Sequence, residues 1–167
     1  MDKQFKVGMY GGKFLPFHKG HLMCMQKAAE MCEILYLILF VGGSQENEVI
    51  RNLNTDEDNT YLSVEDRQKH INGIVKDYPN VKFITIDVGS TLNEDGSENW
   101  DAETPLVLAA CGQLDAVFGS EPSYADYFNR AYPTAKYVMI DPERRECPIS
   151  GTAVRGMDID ERQHWIA

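Results

Sequence analysis

Apolar residues along this chain alternate between two spacings. Short runs rich in β-branched and aromatic residues occupy Phe5 to Tyr10, Ile34 to Val41, Val81 to Ile86, Asp115 to Phe118 and Lys136 to Ile140. Each is four to eight residues long, the length and composition of a strand buried on both faces. Between them the apolar positions fall at helical spacing. From Gly20 to Cys32, the residues Leu22, Met25, Ala28, Ala29 and Cys32 share one face. Further helices are expected over Val64 to Asp77, Glu103 to Cys111 and Tyr124 to Arg130.

Strands joined by helical crossovers pair in parallel, in a sheet that helices cover on both faces. The pattern therefore predicts an α/β fold: one Rossmann-like domain over residues 1–167, with a mainly parallel five-stranded sheet and helices on both faces. Ligands are expected at the carboxyl ends of the strands, near the point where strand order reverses. Two stretches break the alternation, Gly42 to Thr60 and Asp87 to Thr104. Both follow strands, and both exceed the roughly 12 to 15 residues at which a connection is usually functional or disordered.

The most informative segment leaves the first strand as Gly11-Gly12-Lys13-Phe14-Leu15-Pro16-Phe17-His18-Lys19-Gly20-His21 and runs into the first helix. Glycines there let the backbone approach a ligand, and a helix start offers amide donors and a positive dipole end to an anion. His18, Lys19 and His21 crowd that same end, where each charged group is unfavourable by about 0.3 to 1 kcal/mol unless matched. A local rule broken in this way points to function. A lone histidine is more often structural, but Gly12, Phe14, Pro16, His18, Gly20 and His21 together arise by chance on the order of once in 10⁸. A metal site on His18, His21 and Cys24 lacks the spacing for one face, so no metal-ligating set is assigned.

A second segment, Ile149-Ser150-Gly151-Thr152-Ala153-Val154-Arg155, reads either as a simple Ser or Thr helix cap or as part of an anion site. Arg155 in a first helical turn favours the latter, because a cation there needs a bound phosphate. Two helix starts carrying hydroxyls, imidazoles and cations could together grip a polyphosphate.

Composition narrows the partners. With 16 Lys and Arg against 26 Asp and Glu, the net charge is −10, and no basic run exceeds Arg144-Arg145, so neither nucleic acid nor an anionic membrane is an expected partner. Any anion must be met locally. The 43% of hydrophobic residues excludes disorder, and 167 residues suffice for one core without staples. Cys24, Cys32, Cys111 and Cys147 show no paired metal spacing and read as reduced core residues. No apolar run approaches the roughly 18 residues of a membrane span, and a cytoplasmic protein is expected.

The two segments resemble those of the HxGH nucleotidyltransferase superfamily of adenylyl- and cytidylyltransferases. Within it the chain looks most like the nicotinamide mononucleotide (NMN) adenylyltransferase domain of bacterial bifunctional NMN adenylyltransferase/ribosylnicotinamide kinases. Supporting features are Val64 to Arg67, Asn99-Trp100, Gly119-Ser120-Glu121 and Asp141-Pro142-Glu143-Arg144. Bifunctional relatives continue into a kinase domain beyond a position matching Trp165, so either a stand-alone adenylyltransferase or part of a longer chain is expected. The resemblance implies transfer of AMP from ATP to the phosphate of NMN, giving NAD and pyrophosphate, with Mg²⁺ accompanying ATP.

By that resemblance His18, His21, Lys13 and Arg155 are the catalytic set. ATP would also meet Gly12, Phe14, Ser150 and Thr152 along its phosphates, and Gly119, Ser120, Glu121 and Tyr124 around adenosine. Trp100 would face the pyridinium of NMN, since an indole is the best aromatic partner for a cation. Arg51 would hold the NMN phosphate. A homo-oligomer is possible. Phosphopantetheine adenylyltransferase, a polyol-phosphate cytidylyltransferase and a non-catalytic nucleotide sensor are the competing readings.

Overall fold

The computed structural model describes residues 3–43, 63–95, 97, 99–141, 150–155, 157 and 159–167. Its sheet has five parallel strands in the order β3-β2-β1-β4-β5: β1 Phe5–Gly12, β2 Cys32–Val41, β3 Val81–Asp87, β4 Ala116–Gly119 and β5 Lys136–Met139. The helices are α1 Lys19–Met31, α2 Val64–Val75, α3 Trp100–Cys111, α4 Ala125–Ala131, α5 Gly151–Arg155 and α6 Ile159–Trp165. The expected α/β sandwich is thus the observed one, and the strand and helix ranges agree within a few residues.

Alternate strand residues build two cores, one on each face. Tyr10, Leu35, Leu37, Leu39 and Phe118 face α1 and α2, where Met25, Ala28 and Ile71 cover them. Met9, Ile38 and Val117 face the opposite way, toward Val107 and Cys111 of α3 and toward Tyr127 and Phe128 of α4. β1 is the central strand, pairing Met9 with Tyr36 on one side and with Val117 on the other. The chain moves outward from β1 to β2 and β3, then crosses to β4 and β5. Strand order therefore reverses between β1 and β4, which opens a crevice at their carboxyl ends.

One sequence-based boundary needs correction. The second long stretch ends earlier than expected, because Asn99 accepts a hydrogen bond from the Ala102 amide at 3.1 Å and starts α3 at Trp100. Trp100 is therefore a first-turn helical residue and not part of a loop. A short 3₁₀ turn at Gly89–Thr91 occupies part of the remainder. Helix α6 was not anticipated. The first long stretch lies almost wholly outside the described residues, as does Cys147.

Candidate active site

Helix α1 begins with an unusual cap. His18, in extended conformation, accepts at Nδ1 from the amides of Gly20 at 3.1 Å and His21 at 3.4 Å, while His21 Nδ1 accepts from the His18 amide at 3.1 Å. Two histidines thus form the reciprocal box usually made by Ser or Thr with Glu or Gln. Because each Nδ1 accepts, a neutral imidazole carries its proton on Nε2 and presents that N–H away from the helix. The rings stack with centroids 3.7 Å apart and planes 16° from parallel, an arrangement that suits neutral rings. Phe14 and Phe17 close around His21, with centroids at 4.9 and 5.5 Å.

This geometry corrects the electrostatic reading of the segment. The imidazoles do not crowd the helix start as cations; they satisfy it as acceptors. The amides of Gly20 and His21 are taken up by His18. Lys19 is exposed, whereas Lys13 is half-buried and lines the cavity described next.

A cavity of about 460 Å³ opens at the switch point, within the usual range for small-molecule sites. Gly12, Lys13, Phe14, His18 and His21 form one wall. Trp100, Tyr124, Tyr127 and Phe128 form another, and Gly119, Ser120, Glu121 and Ser150 also line the cavity. The aromatic wall is a connected cluster: Trp100 meets Tyr124 edge-on at 4.7 Å and Tyr127 at 5.0 Å. Tyr127 donates its hydroxyl to the Trp100 carbonyl at 2.6 Å, which fixes α4 against the start of α3. Burial and the nearby Glu103 and Asp101 carboxylates push the Tyr127 phenol up from its ordinary value, so it stays a neutral donor.

Most of the expected site residues come together here, several with structural duties as well. Ser120 donates to the Ile140 carbonyl at 2.7 Å and lies 3.4 Å from the Cys24 sulfur. The Glu121 carboxylate accepts from the Ser123 amide at 3.0 Å and caps a 3₁₀ turn over Pro122–Tyr124. Ser150 accepts from the Ala153 amide at 3.1 Å, which is the simple capping role considered from sequence. Arg155 donates Nη1 to the Leu15 carbonyl at 2.6 Å, so it reaches the histidine segment through its backbone. It is the last residue of α5, not in a first turn as the sequence suggested, and it is not among the residues that line the cavity. Thr152 lies in α5, with its side chain outside the described set, and Arg51 is likewise outside the described residues.

Besides Tyr127 and Phe128 of the aromatic wall, three further residues at or beside the site had no assigned role in the sequence reading. Arg67 is 1% exposed and donates Nη1 to the Lys13 carbonyl at 2.7 Å. Glu103 lines the cavity one helical turn after Trp100, a spacing that could have signalled it. Asp141 also lines the cavity and holds φ at 48°, an uncommon value for a residue with a side chain. Among the described residues no group of three His, Cys, Asp or Glu could hold a metal ion. No described helix is long and apolar enough to cross a membrane.

Comparison with known proteins agrees with this geometry. The profile of the cytidylyltransferase-like family matches residues 9–157. The phosphopantetheine adenylyltransferase of Mycoplasma mycoides is 24% identical over 155 residues, covering 92% of this chain and 96% of that protein. The trifunctional NAD biosynthesis/regulator protein NadR of Salmonella typhimurium is 24% identical over 165 residues, covering 92% of this chain but only 37% of NadR. A crystal structure of NadR in complex with NR superposes with a TM-score of 0.67 at 21% identity, over 98% of this chain and 43% of that one. The chain thus spans well under half of its NadR relatives.

Proposed function

The chain belongs to the cytidylyltransferase-like family, and on that premise we propose that it is an adenylyltransferase that joins ATP to NMN, forming NAD and pyrophosphate. What carries this reading is one cavity at the switch point that both the stacked His18 and His21 and the Trp100 cluster line. The imidazoles would serve the nucleotide phosphates, and the wall would serve the acceptor.

The reaction needs position and charge stabilisation more than acid-base chemistry. A phosphate oxygen of NMN attacks the α-phosphorus of ATP in line; the bond to the bridging oxygen breaks, and its electrons leave with pyrophosphate. The Nε2–H groups of His18 and His21 would donate to the oxygens of the α-phosphate as charge shifts there, the kind of preorganised donor worth about 10²- to 10³-fold in rate. Lys13 and Arg155 would hold the departing phosphates. Magnesium would arrive on the nucleotide and neutralise its phosphates, consistent with an ion that usually binds through substrate oxygens and few carboxylates.

NMN is favoured as acceptor because its pyridinium is cationic. An indole face attracts such a ring, and Glu103 adds a negative group to the same side of the cavity. Phosphopantetheine, an uncharged aliphatic chain beyond its phosphate, gains nothing from either. It remains the second reading because the Mycoplasma relative matches over nearly its whole length. Pyrophosphate release from ATP or CTP, measured with NMN, phosphopantetheine and glycerol 3-phosphate in turn, separates the possibilities. Turnover with NMN is expected. Turnover with phosphopantetheine alone would reassign the acceptor, and nucleotide binding without turnover on any acceptor would indicate a sensor.

A further inference from the structure

Three carbonyl oxygens of the histidine segment, at alternate residues 13, 15 and 17, each accept a hydrogen bond from a distant part of the chain. Arg67 of α2 serves Lys13 at 2.7 Å, Arg155 of α5 serves Leu15 at 2.6 Å, and the Ala167 amide serves Phe17 at 3.2 Å. Ile166 forms an antiparallel bridge with His18 beside the last of these. The Ala167 carbonyl is in turn bonded by His70, which lies three residues after Arg67 and so on the same side of α2. One helix therefore steadies the segment twice, directly through Arg67 and indirectly through the chain at Ala167.

Between the first two carbonyls sits Phe14, with φ at 49°. A side-chain-bearing residue stays in that region only when its surroundings over-determine it. The bond at Lys13 holds the peptide group that enters Phe14, the bond at Leu15 holds the peptide group one residue beyond it, and the Phe14 ring rests 4.9 Å from the His21 ring. A buried guanidinium is costly to desolvate, and an apolar residue of similar volume commonly stabilises a protein as well or better. Arg67 therefore makes more sense as a device that sets geometry than as a source of stability.

We propose that Arg67 is a positioning residue for the transfer reaction, holding the Lys13 carbonyl so that Lys13 and both imidazoles face the cavity in working order, with Arg155 and the Ala167 amide as the other two points of a backbone clamp. It touches no substrate. The proposal rests on the adenylyltransferase reading only for its activity assay.

Arg67→Lys retains the charge and loses the planar fork. The folded variant, checked by circular dichroism, is expected to lose at least tenfold in kcat while KM for ATP and for the acceptor changes less than threefold. The nitrogen NMR signals of His18 and His21 should also move away from the Nε2–H tautomer pattern, a readout that a purely stabilising residue would leave alone. Wild-type kcat together with unshifted imidazole signals would overturn the proposal. Should Arg67→Lys fail to fold, Ala167→Pro removes a single N–H donor of the clamp and Ala167→Gly keeps it. The proline variant is expected to lose at least threefold in kcat and the glycine variant to match the wild type; equal rates for the two would overturn it. If the wild type turns over no acceptor, the functional reading fails, and the imidazole spectra alone decide the clamp.

Discussion

On the proposed reading His18 and His21 each have two tasks, and these can be separated experimentally. Nδ1 caps the helix, and Nε2–H would serve the nucleotide phosphates. Glutamine is the usual residue at the position of His21 in a capping box, so His21→Gln should keep stability within about 0.5 kcal/mol while kcat falls about 100-fold or more. His21→Ala removes both functions and should also cost about 0.5 to 2 kcal/mol. Thermal unfolding beside steady-state kinetics checks the pair; a large stability loss in the glutamine variant would reduce His21 to a packing residue. On the aromatic wall, Trp100→Ala should raise KM for NMN at least tenfold, as about 2 kcal/mol of desolvated cation–π attraction implies. Its effect on KM for ATP should be smaller but measurable, because Trp100 abuts Tyr124. Equal changes in both constants would remove the proposed stacking. If NMN is the acceptor, Glu103→Gln should shift selectivity toward its deamidated analogue, whose ring carboxylate the native acid would repel; competition kinetics with the two mononucleotides would show no change if Glu103 plays no part.

At the scale of elements, the end of β1 and the start of α1 form one unit in which backbone space is scarce. A Cβ added at Gly12 would lie 2.9 Å from the Phe14 ring, closer than side chains tolerate. Gly12→Ala should therefore push Phe14 against His21 and lower kcat more than it lowers the unfolding midpoint, measured on the same preparation. The unit was legible in the sequence because its glycines, histidines and helix start are contiguous. The start of α3 was missed: the expected boundary fell three residues late at Glu103, although Asn99 followed by Asp101 and Glu103 is a cap signal. Apolar periodicity is weak there, and the polar cap set the boundary instead. Arg67 illustrates the opposite limit. Within α2 it looks like any basic residue beside Glu65 and Asp66, and nothing local says that its side chain is buried under the histidine segment.

For the molecule as a whole, the two cores of the sandwich seal the thiols. Burial pushes the Cys32 thiol up to about 12 and the Cys111 thiol to about 11, and raises Cys24 as well, from an ordinary value of 9.0. Native Cys24, Cys32 and Cys111 should resist alkylation at pH 8 and react on unfolding, as site-resolved mass spectrometry would show. The sign of the linkage follows: between about pH 9 and pH 12 an unfolded chain releases thiol protons that the native protein retains, so these groups withdraw stability as pH rises through that window. A chemical-denaturation series across the window should show falling stability, less so in a Cys32→Ser background once its lower baseline is subtracted.

The order of strands and helices, the parallel sheet and the contiguous histidine segment were determined by the sequence itself, because period-two and period-3.6 patterns and a glycine-led helix start are local properties of the chain. Only the tertiary structure decided that Trp100, Tyr124, Tyr127 and Phe128 line one cavity with the histidines, that the two imidazoles cap and stack, and that Arg67, Arg155 and Ala167 converge on alternate carbonyls. Carbonyl oxygens are the same at every residue, so which of them a distant donor reaches depends on how the layers pack and has no signature in the order of side chains.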